Sequence, residues 1–170
     1  MLFIESLERV ILIKTHYYMK WILRFICFCI SIQGFCQGVT FSNPTSVAPA
    51  KGYSHAAVID LGTSRMLVIS GQVGLDKQGN VIGKDDISLQ TEQVFKNIKA
   101  IVEDAGGTMN HLIKLSYFLR DVKQIQSVRD IRNRFINVSQ PPASTLVEVS
   151  HLFRDDILIE IEATAVIPKR

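Results

Sequence analysis

Cysteine is nearly absent from this chain, and the position of the few cysteines limits what they can do. Cys27, Cys29 and Cys36 all fall within the first 36 of the 170 residues. Residues 37–170 therefore offer no disulfide, no thiol nucleophile and no thiolate ligand for a metal. That part of the chain must depend on its apolar core for stability.

Several common catalytic and binding motifs are also missing. The sequence contains no glycine-rich phosphate loop, no His-x-x-x-His pair, no Gly-x-Ser-x-Gly step and no cluster of metal ligands. Beyond residue 36 the histidines His55, His111 and His151 stand singly near predicted element ends, which favours ordinary surface or edge positions over catalysis. The sequence therefore predicts neither a metal nor an organic cofactor.

Strong charge of one sign is absent as well. Residues 37–170 hold 15 Lys and Arg against 14 Asp and Glu, so their net charge is +1. The densest basic stretch, Arg129, Arg132 and Arg134, is typical of a solvated helix face. With no basic, aromatic-lined stripe, we expect no nucleic-acid partner.

Residues 1–36 have the parts of a secretory signal peptide. A basic segment at Met19–Arg24 precedes a short apolar run at 25–32, and small residues precede Gln37. Cleavage before Gln37 predicts an exported protein, periplasmic or secreted in a bacterium, without a stable membrane span. A retained anchor and acylation of Cys36 are the alternatives. Residues 1–18 fit an over-long start or an extended N-terminal region of the signal peptide.

Residues 37–50 are rich in Pro, Ser, Thr and Ala and are predicted as an extended lead-in to one domain, 51–170. Alternating and continuous apolar runs predict strands, and apolar residues at spacings of three and four predict helices. The predicted strands are 56–61, 66–70, 81–82, 111–120, 143–149 and 157–167; the predicted helices run from a cap at Asp85 or Asp86 to Gly106-Gly107, and over 122–136 after a cap at Asp121. This order predicts an α+β fold with helices on one face of a mixed sheet.

The other face of such a sheet needs a cover. Phe118, Leu146 and Leu158 would otherwise face water, so we expect self-association to bury them.

Glu160 is the most informative acid. On the final strand it shares one face with Leu158, Glu162 and Thr164, opposite an apolar face. That acidic face could simply be solvated. Alternatively it meets another subunit, where partial desolvation would raise the pKa of the Glu160 carboxyl and suit it to proton transfer or to holding a water.

Several segments together resemble the RidA (YjgF-type) family of small proteins that hydrolyse reactive enamines and imines. The likeness spans about residues 39–168. It is carried by Lys51-Gly52-Tyr53-Ser54-His55-Ala56, Ser70-Gly71-Gln72-Val73, Gln93-Val94-Phe95-Lys96-Asn97-Ile98, Pro142-Ala143-Ser144, Val147-Glu148-Val149 and Ile159-Glu160-Ile161-Glu162-Ala163-Thr164-Ala165. The resemblance implies a chorismate-mutase-like fold and a barrel-like homotrimer with ligand clefts between subunits.

The resemblance also implies roles for particular residues. Tyr53 and Ser70 match the tyrosine and serine that line the family's pocket, and Glu160 matches the glutamate that positions the attacking water. Ser144 stands where the family has an arginine that grips a substrate carboxylate. A serine cannot supply the charged, bidentate fork of a guanidinium. Arg129, at a family asparagine position, could partly substitute.

The departure at Ser144 leaves two functions open. The first is an imine or enamine deaminase with reduced activity or an altered substrate, for which we expect a low or absent rate on 2-iminobutanoate or 2-iminopropanoate. The second is a non-catalytic trimer of the cell envelope that binds a small molecule. An endoribonuclease, also claimed for some relatives, is disfavoured by the near-neutral charge.

Overall fold

The computed structural model of the protein describes residues 38–169, so the predicted export segment lies outside the described residues. The strands and helices are β1 (Val39–Ser42), β2 (Ala56–Asp60), β3 (Ser64–Val73), α1 (Ile87–Asp104), β4 (Leu112–Leu119), α2 (Ile125–Arg132), β5 (Ala143–Glu148) and β6 (Ile159–Pro168). Within residues 38–169 no helix is both long and apolar enough to cross a membrane.

The strands form one six-stranded sheet in the order β1-β2-β3-β6-β4-β5. Neighbouring strands are antiparallel except for β4 and β5, which run parallel. Helix α2 makes the connection between that parallel pair, as a crossover requires. The final strand β6 therefore lies at the centre of the sheet, and β5 lies at one edge.

Both helices cover one face of the sheet, as the sequence predicts. Strand β6 alternates as expected: Ile159, Ile161 and Ala163 are buried, whereas Glu162 is exposed. The buried residues of β6 pack against the apolar face of α1. Phe95 on that face stacks on Phe135, which follows α2, with 5.2 Å between the ring centroids. Burial of such side chains is the main favourable term in the folding free energy.

Helix α1 begins and ends where the sequence places it. The Asp86 carboxylate caps its first turn by accepting from the backbone N–H groups of Ser88 and Leu89. At the other end Gly106 adopts φ +79°, a left-handed conformation that glycine enters without a side-chain clash. The spacing of apolar residues in the sequence also predicts Leu89 on the buried face of this helix, and this is wrong. Leu89 is 48% exposed, because Ile87 and Gln90 occupy the inward face of the first turn.

Three predicted boundaries need correction. The second helix is shorter than 122–136: a 3₁₀ turn at Val122–Gln124 precedes α2, and i→i−3 bonds tighten the chain after Arg132. The segment 81–82 is not a strand but makes one isolated bridge, Leu75 to Val81. The segment 37–50 was predicted as an extended lead-in outside the domain, but part of it forms strand β1, which pairs with β2 and belongs to the sheet.

The sheet face opposite the helices is partly apolar, and no helix or strand within residues 38–169 covers it. Val68 is 44% exposed and Val147 is 41% exposed, and Phe118 lies between them on this face, half-buried. Leu146, predicted to face the same way, is on the helix side instead, because it pairs with buried Tyr117.

Candidate functional site

A bulge in β3 shapes the centre of the candidate site. Ile69 pairs with Ala163 and Gln72 with Ile161, so three steps along β3 oppose two along β6. Ser70 and Gly71 occupy the irregular part, on the face opposite the helices. A bulge re-aims the backbone and side chains at that point, as is common beside binding sites.

The Glu160 carboxylate fills the space that Gly71 leaves. A β-carbon built on Gly71 would lie within contact distance of Glu160 Oε1, so only glycine admits the carboxylate in this place. Burial raises the pKa of the Glu160 carboxyl, and the like charge of Glu162 raises it further. Glu160 is therefore an acid that its own chain partly desolvates, rather than a freely solvated one. Contact of this face with another subunit stays a prediction.

Tyr53 and Ser70 share a cavity of about 720 Å³ with Glu160. We name it the Glu160 cavity. Tyr53 is 51% exposed and leads into β2. Burial and the Glu160 carboxylate both raise the pKa of its phenol, so the hydroxyl keeps its proton and can donate to a ligand or water. Three of the residues that the sequence assigns to the site thus lie together.

Ser70 supports the loop that carries Tyr53. Its hydroxyl donates to the Ser54 carbonyl at 2.7 Å, and its backbone N–H donates to the His55 carbonyl at 2.9 Å. Because the hydroxyl proton is already engaged, Ser70 can only accept from a ligand through its remaining lone pairs. Besides its predicted contact with a ligand, Ser70 therefore also positions the loop that carries Tyr53.

Buried His55 also fixes that loop. Its Nε2 lies 2.7 Å from the Ala48 carbonyl, which can only accept, so Nε2 carries the proton. Its Nδ1 then accepts from the Gln72 amide at 3.4 Å, and its ring packs edge-on against Tyr53 at 5.4 Å. This histidine therefore has a structural role in the loop. Its predicted surface or edge position is wrong, because the side chain is only 3% exposed.

Two cations line the Glu160 cavity. Arg154 is bound to Asp156 through two hydrogen bonds of 2.9 and 2.6 Å, so its charge is neutralised locally. Lys51 forms no salt bridge with any residue in 38–169 and is exposed. Over the same residues no three His, Cys, Asp or Glu side chains cluster closely enough to hold a metal ion.

Ser144 and Arg129 lie elsewhere, in a smaller cavity of about 70 Å³ between α2 and the edge strand β5. We name it the α2–β5 cavity. Arg132 and the buried Tyr117 also line it. Burial raises the pKa of Tyr117 to about 12, with the nearby Arg132 guanidinium opposing the rise. The Arg132 guanidinium lies close enough to the Tyr117 hydroxyl to lower its pKa by hydrogen bonding as well as by charge, although the alignment of the two groups is poor.

The structure therefore divides the predicted site residues into two groups on opposite faces of the sheet. Glu160 pairs with Phe118, on the outer face. Ser144 pairs with Leu115, which is buried beneath the helices. Since paired residues share a face, one copy of the chain cannot bring Glu160 and Ser144 to the same small ligand.

The sequence reasoning missed three residues of these cavities. Gly71 was quoted only as part of a motif, and its contact with Glu160 depends on the bulge. Tyr117 shares the buried face of β4 with Leu115 and Leu119, so its position indicates a core residue and gives no functional signal. Arg132 was assigned to a solvated helix face, which is wrong, because it is half-buried and lines the α2–β5 cavity. Its position three residues from Arg129, on the same helix face, could have indicated this.

Adding one methyl group at Gly71 tests the placement of Glu160. Gly71→Ala should displace the flexible carboxylate while its own backbone conformation remains allowed for alanine. We expect the free energy of unfolding to change by less than about 1 kcal/mol and any turnover at this site to fall about tenfold or more, as a misplaced catalytic group implies. Urea denaturation and steady-state kinetics measure the two effects.

Gly38→Ala is the matched control, since nothing lies within 4 Å of its added methyl group. Unchanged turnover in Gly71→Ala would contradict the assigned position of Glu160.

Sequence comparisons place residues 44–167 within the family model described as "Endoribonuclease L-PSP". A "RutC family protein" of Pyrococcus horikoshii is 38% identical over 126 residues, which cover 74% of this chain and 93% of the relative. A protein of Salmonella typhimurium named "2-iminobutanoate/2-iminopropanoate deaminase" is 35% identical over 124 residues, covering 72% and 94%.

Solved structures agree with the sequence relatives. The Rid-family protein YyfA of Yersinia pestis matches with a TM-score of 0.67 and 32% identity, covering 75% of this chain and 98% of that protein. Escherichia coli TdcF, solved with bound serine, matches with a TM-score of 0.65 and 27% identity, covering 75% and 98%. The predicted mixed sheet with two helices on one face is thereby confirmed.

Proposed function

Because the chain belongs to the RidA family, we propose that it hydrolyses small imines or enamines, with Glu160 directing the attacking water. Water adds its oxygen to the carbon of the C=N bond while one of its protons passes to Glu160. Glu160 returns that proton to the nitrogen, which gives a carbinolamine. The added hydroxyl then loses its proton to the nitrogen by way of Glu160, the C–N bond breaks, and ammonia and a carbonyl compound leave. The reaction is a hydrolysis without a change of oxidation state, so it needs no redox cofactor.

The partly desolvated Glu160 carboxylate is the observation that carries this proposal. A carboxyl group whose pKa is raised toward neutrality accepts a proton from water more readily than an ordinary exposed one. The protonated Tyr53 hydroxyl lines the same cavity and can donate to the substrate nitrogen or to the water. The printed name of the Salmonella typhimurium relative supports the same reaction class.

Compared with relatives that have an arginine after the Pro-Ala step, this protein either binds 2-imino acids more weakly or acts on a substrate without a carboxylate. Ser144 offers one neutral hydrogen bond in place of a charged pair, and charged hydrogen bonds contribute roughly 1.5–3 kcal/mol against about 1 for neutral ones. We therefore expect weaker use of 2-imino acids than an arginine-bearing member would show.

The proposal includes a homotrimer, in which the two cavities of neighbouring subunits form one cleft. The Glu160 cavity and the α2–β5 cavity lie on opposite faces of one sheet, so they can meet only if one copy sets its outer face against the β5 edge of another. The exposed apolar residues of the outer face, Val68 and Val147, give that contact a driving force. Each cleft would then take residues from two subunits.

Export is part of the proposal as well. The segment 1–36 has the composition of a signal peptide, so the working protein would begin near Gln37 outside the cytoplasm. Mass spectrometry of the protein recovered from a bacterial periplasm would find that N-terminus; recovery of an intact N-terminal segment there would contradict cleavage.

The proposed reaction is tested by the rate of carbonyl release from 2-iminobutanoate generated in solution, measured against its spontaneous hydrolysis. A rate above background that scales with protein concentration supports the proposal. Background rate alone would overturn it for this substrate, and calorimetric binding of a carboxylate ligand without turnover would favour a non-catalytic binding protein.

A further inference from the structure

We propose that the Glu160 cavity takes a substrate with a large apolar, preferably aromatic, group next to its C=N bond, and that Phe153 selects this group. The inference rests on the proposed function for the reaction at Glu160. It rests on the loop between β5 and β6, which carries Phe153, for the nature of the substrate's side group.

Phe153 forms part of the cavity wall and leaves most of its surface in water. It lines the Glu160 cavity together with Tyr53 and is 66% exposed. Single exposed apolar residues are common on protein surfaces and indicate nothing by themselves. Phe153 differs from them in its place, because the side group of a substrate bound at Glu160 can cover its ring and remove apolar surface from water.

The loop around Phe153 is anchored to the rest of the domain. The Gln90 side chain of α1 donates to the Asp156 carbonyl at 2.7 Å, and the Arg120 guanidinium donates to the Asp155 carbonyl. These bonds hold the backbone just after Phe153 and so restrict where its ring can lie. A restrained ring loses less conformational entropy on binding than one on a mobile loop.

The surroundings of Phe153 suit an uncharged group. Leu75, which follows β3, adds apolar surface to the cavity. Arg154 is neutralised by its paired hydrogen bonds to Asp156. The other cation of the cavity, Lys51, is exposed and can keep its ammonium group in water. The positive charges near Phe153 are therefore paired or solvated, and an apolar group can bind without desolvating either of them.

Tyr53 gives the cavity a second aromatic surface. Its ring packs edge-on against buried His55, with 5.4 Å between the ring centroids, and this contact holds the ring in place. Aromatic rings prefer offset or edge-on contacts with one another, and each such contact contributes about twofold to tenfold beyond the burial of area. Two aromatic side chains in one cavity therefore favour an aromatic side group over an aliphatic one of equal area.

The cavity is larger than a small imine needs. Its volume of about 720 Å³ lies within the range of roughly 300–1,000 Å³ that is usual for pockets enclosing drug-sized ligands. At about 30 Å³ for each water-sized group, a four-carbon imine occupies only a minor part of such a space. An aromatic ring beside the C=N bond would fill more of it and would add contact with the apolar wall.

Hydrolysis of two imines with the same carboxylate by the full chain tests this preference. 2-Imino-3-phenylpropanoate and 2-iminobutanoate, each generated in solution by an amino-acid oxidase, differ only in the side group, so the α2–β5 cavity affects both alike. We expect kcat/KM to be about tenfold or more higher for the phenyl compound, as filling an apolar pocket allows. Phe153→Ala should lower this ratio by about tenfold, because the ring supplies both apolar area and an aromatic contact.

Phe41→Ala is the matched control. Phe41 is 69% exposed, much like Phe153, but it lies on strand β1 and does not line the cavity, so its removal should leave both rates within about twofold. A wild-type ratio near one, or an unchanged ratio in Phe153→Ala, would overturn the inference. Dissociation of the assembly in Phe153→Ala but not in Phe41→Ala, measured by analytical ultracentrifugation, would assign Phe153 to a subunit contact and overturn it as well.

Binding measurements separate this inference from the proposed reaction. Calorimetry compares the two stable products, 2-oxo-3-phenylpropanoate and 2-oxobutanoate. Tighter binding of the phenyl compound that Phe153→Ala removes, in a protein without imine hydrolysis, would sustain the aromatic site and reject the reaction. Hydrolysis of both imines with similar kcat/KM would sustain the reaction and reject the aromatic site.

Discussion

Replacing Glu160 by glutamine is expected to lower kcat for imine hydrolysis by about a hundredfold to ten-thousandfold, the usual range for a general base. The amide has nearly the same shape as the carboxyl and still fits over Gly71, but it cannot accept a proton from water. Steady-state kinetics with 2-iminobutanoate measure the loss. Because folding should be unaffected, the change should appear in kcat rather than in protein yield.

Glu162→Gln is the matched control for that experiment. Glu162 lies two residues along the same strand and face, is exposed, and should leave kcat at neutral pH within about twofold. Its like charge raises the pKa of Glu160, so its removal should move the acid side of the pH–rate profile to lower pH. Equal losses in both variants would contradict a specific role for Glu160.

Replacing Gln90 by leucine is expected to lower the free energy of unfolding by about 2–4 kcal/mol. The buried Gln90 amide accepts from the Leu158 N–H at 2.8 Å and donates to the carbonyls of Asp156, at 2.7 Å, and Gly83, at 3.3 Å. Leucine would leave these backbone groups unpaired and buried. Urea denaturation at one fixed protein concentration measures the loss, since self-association would couple stability to concentration.

The control for Gln90 is a glutamine whose bond lies at the surface. Gln126 donates to Asp130 at 2.8 Å in solvent, so Gln126→Leu should change the free energy of unfolding by no more than about 0.5 kcal/mol. A change of less than about 0.5 kcal/mol in the free energy of unfolding of Gln90→Leu would contradict this prediction. It would show that water can replace the hydrogen bonds of Gln90 between α1 and the residues before β6.

Sequence patterns predict most helices and strands of this fold because each depends on residues that are close together along the chain. The two-residue alternation of Ile159, Ile161 and Ala163 predicts which face of β6 is buried, and burial confirms it. The cap at Asp86 follows from the short-range chemistry of one side chain. Strand β1 escaped prediction because its four residues lie in a segment rich in Ser, Thr and Pro and become a strand only by pairing with β2.

The arrangement of the site could not be predicted in the same way. Whether Ser144 shares a face with Glu160 depends on the parallel register of β4 and β5, which is a long-range property of the sheet. The same register turns Leu146 inward, against its predicted exposure. The three residues that the resemblance implies for one pocket, Tyr53, Ser70 and Glu160, line the same cavity in the structure. Their roles toward a ligand stay predictions.

Sharing of one site between two copies of the chain is tested most directly by complementation. Glu160→Gln removes the acid, and Ser144→Asp puts a negative charge into the α2–β5 cavity, so each variant is expected to be nearly inactive. In trimers assembled from equal amounts of both, roughly a quarter of the clefts would combine an intact Glu160 with an intact Ser144 from the neighbour. We therefore predict recovery of roughly a quarter of the wild-type hydrolysis rate on co-expression; activity no greater than that of the separate variants would contradict the shared site.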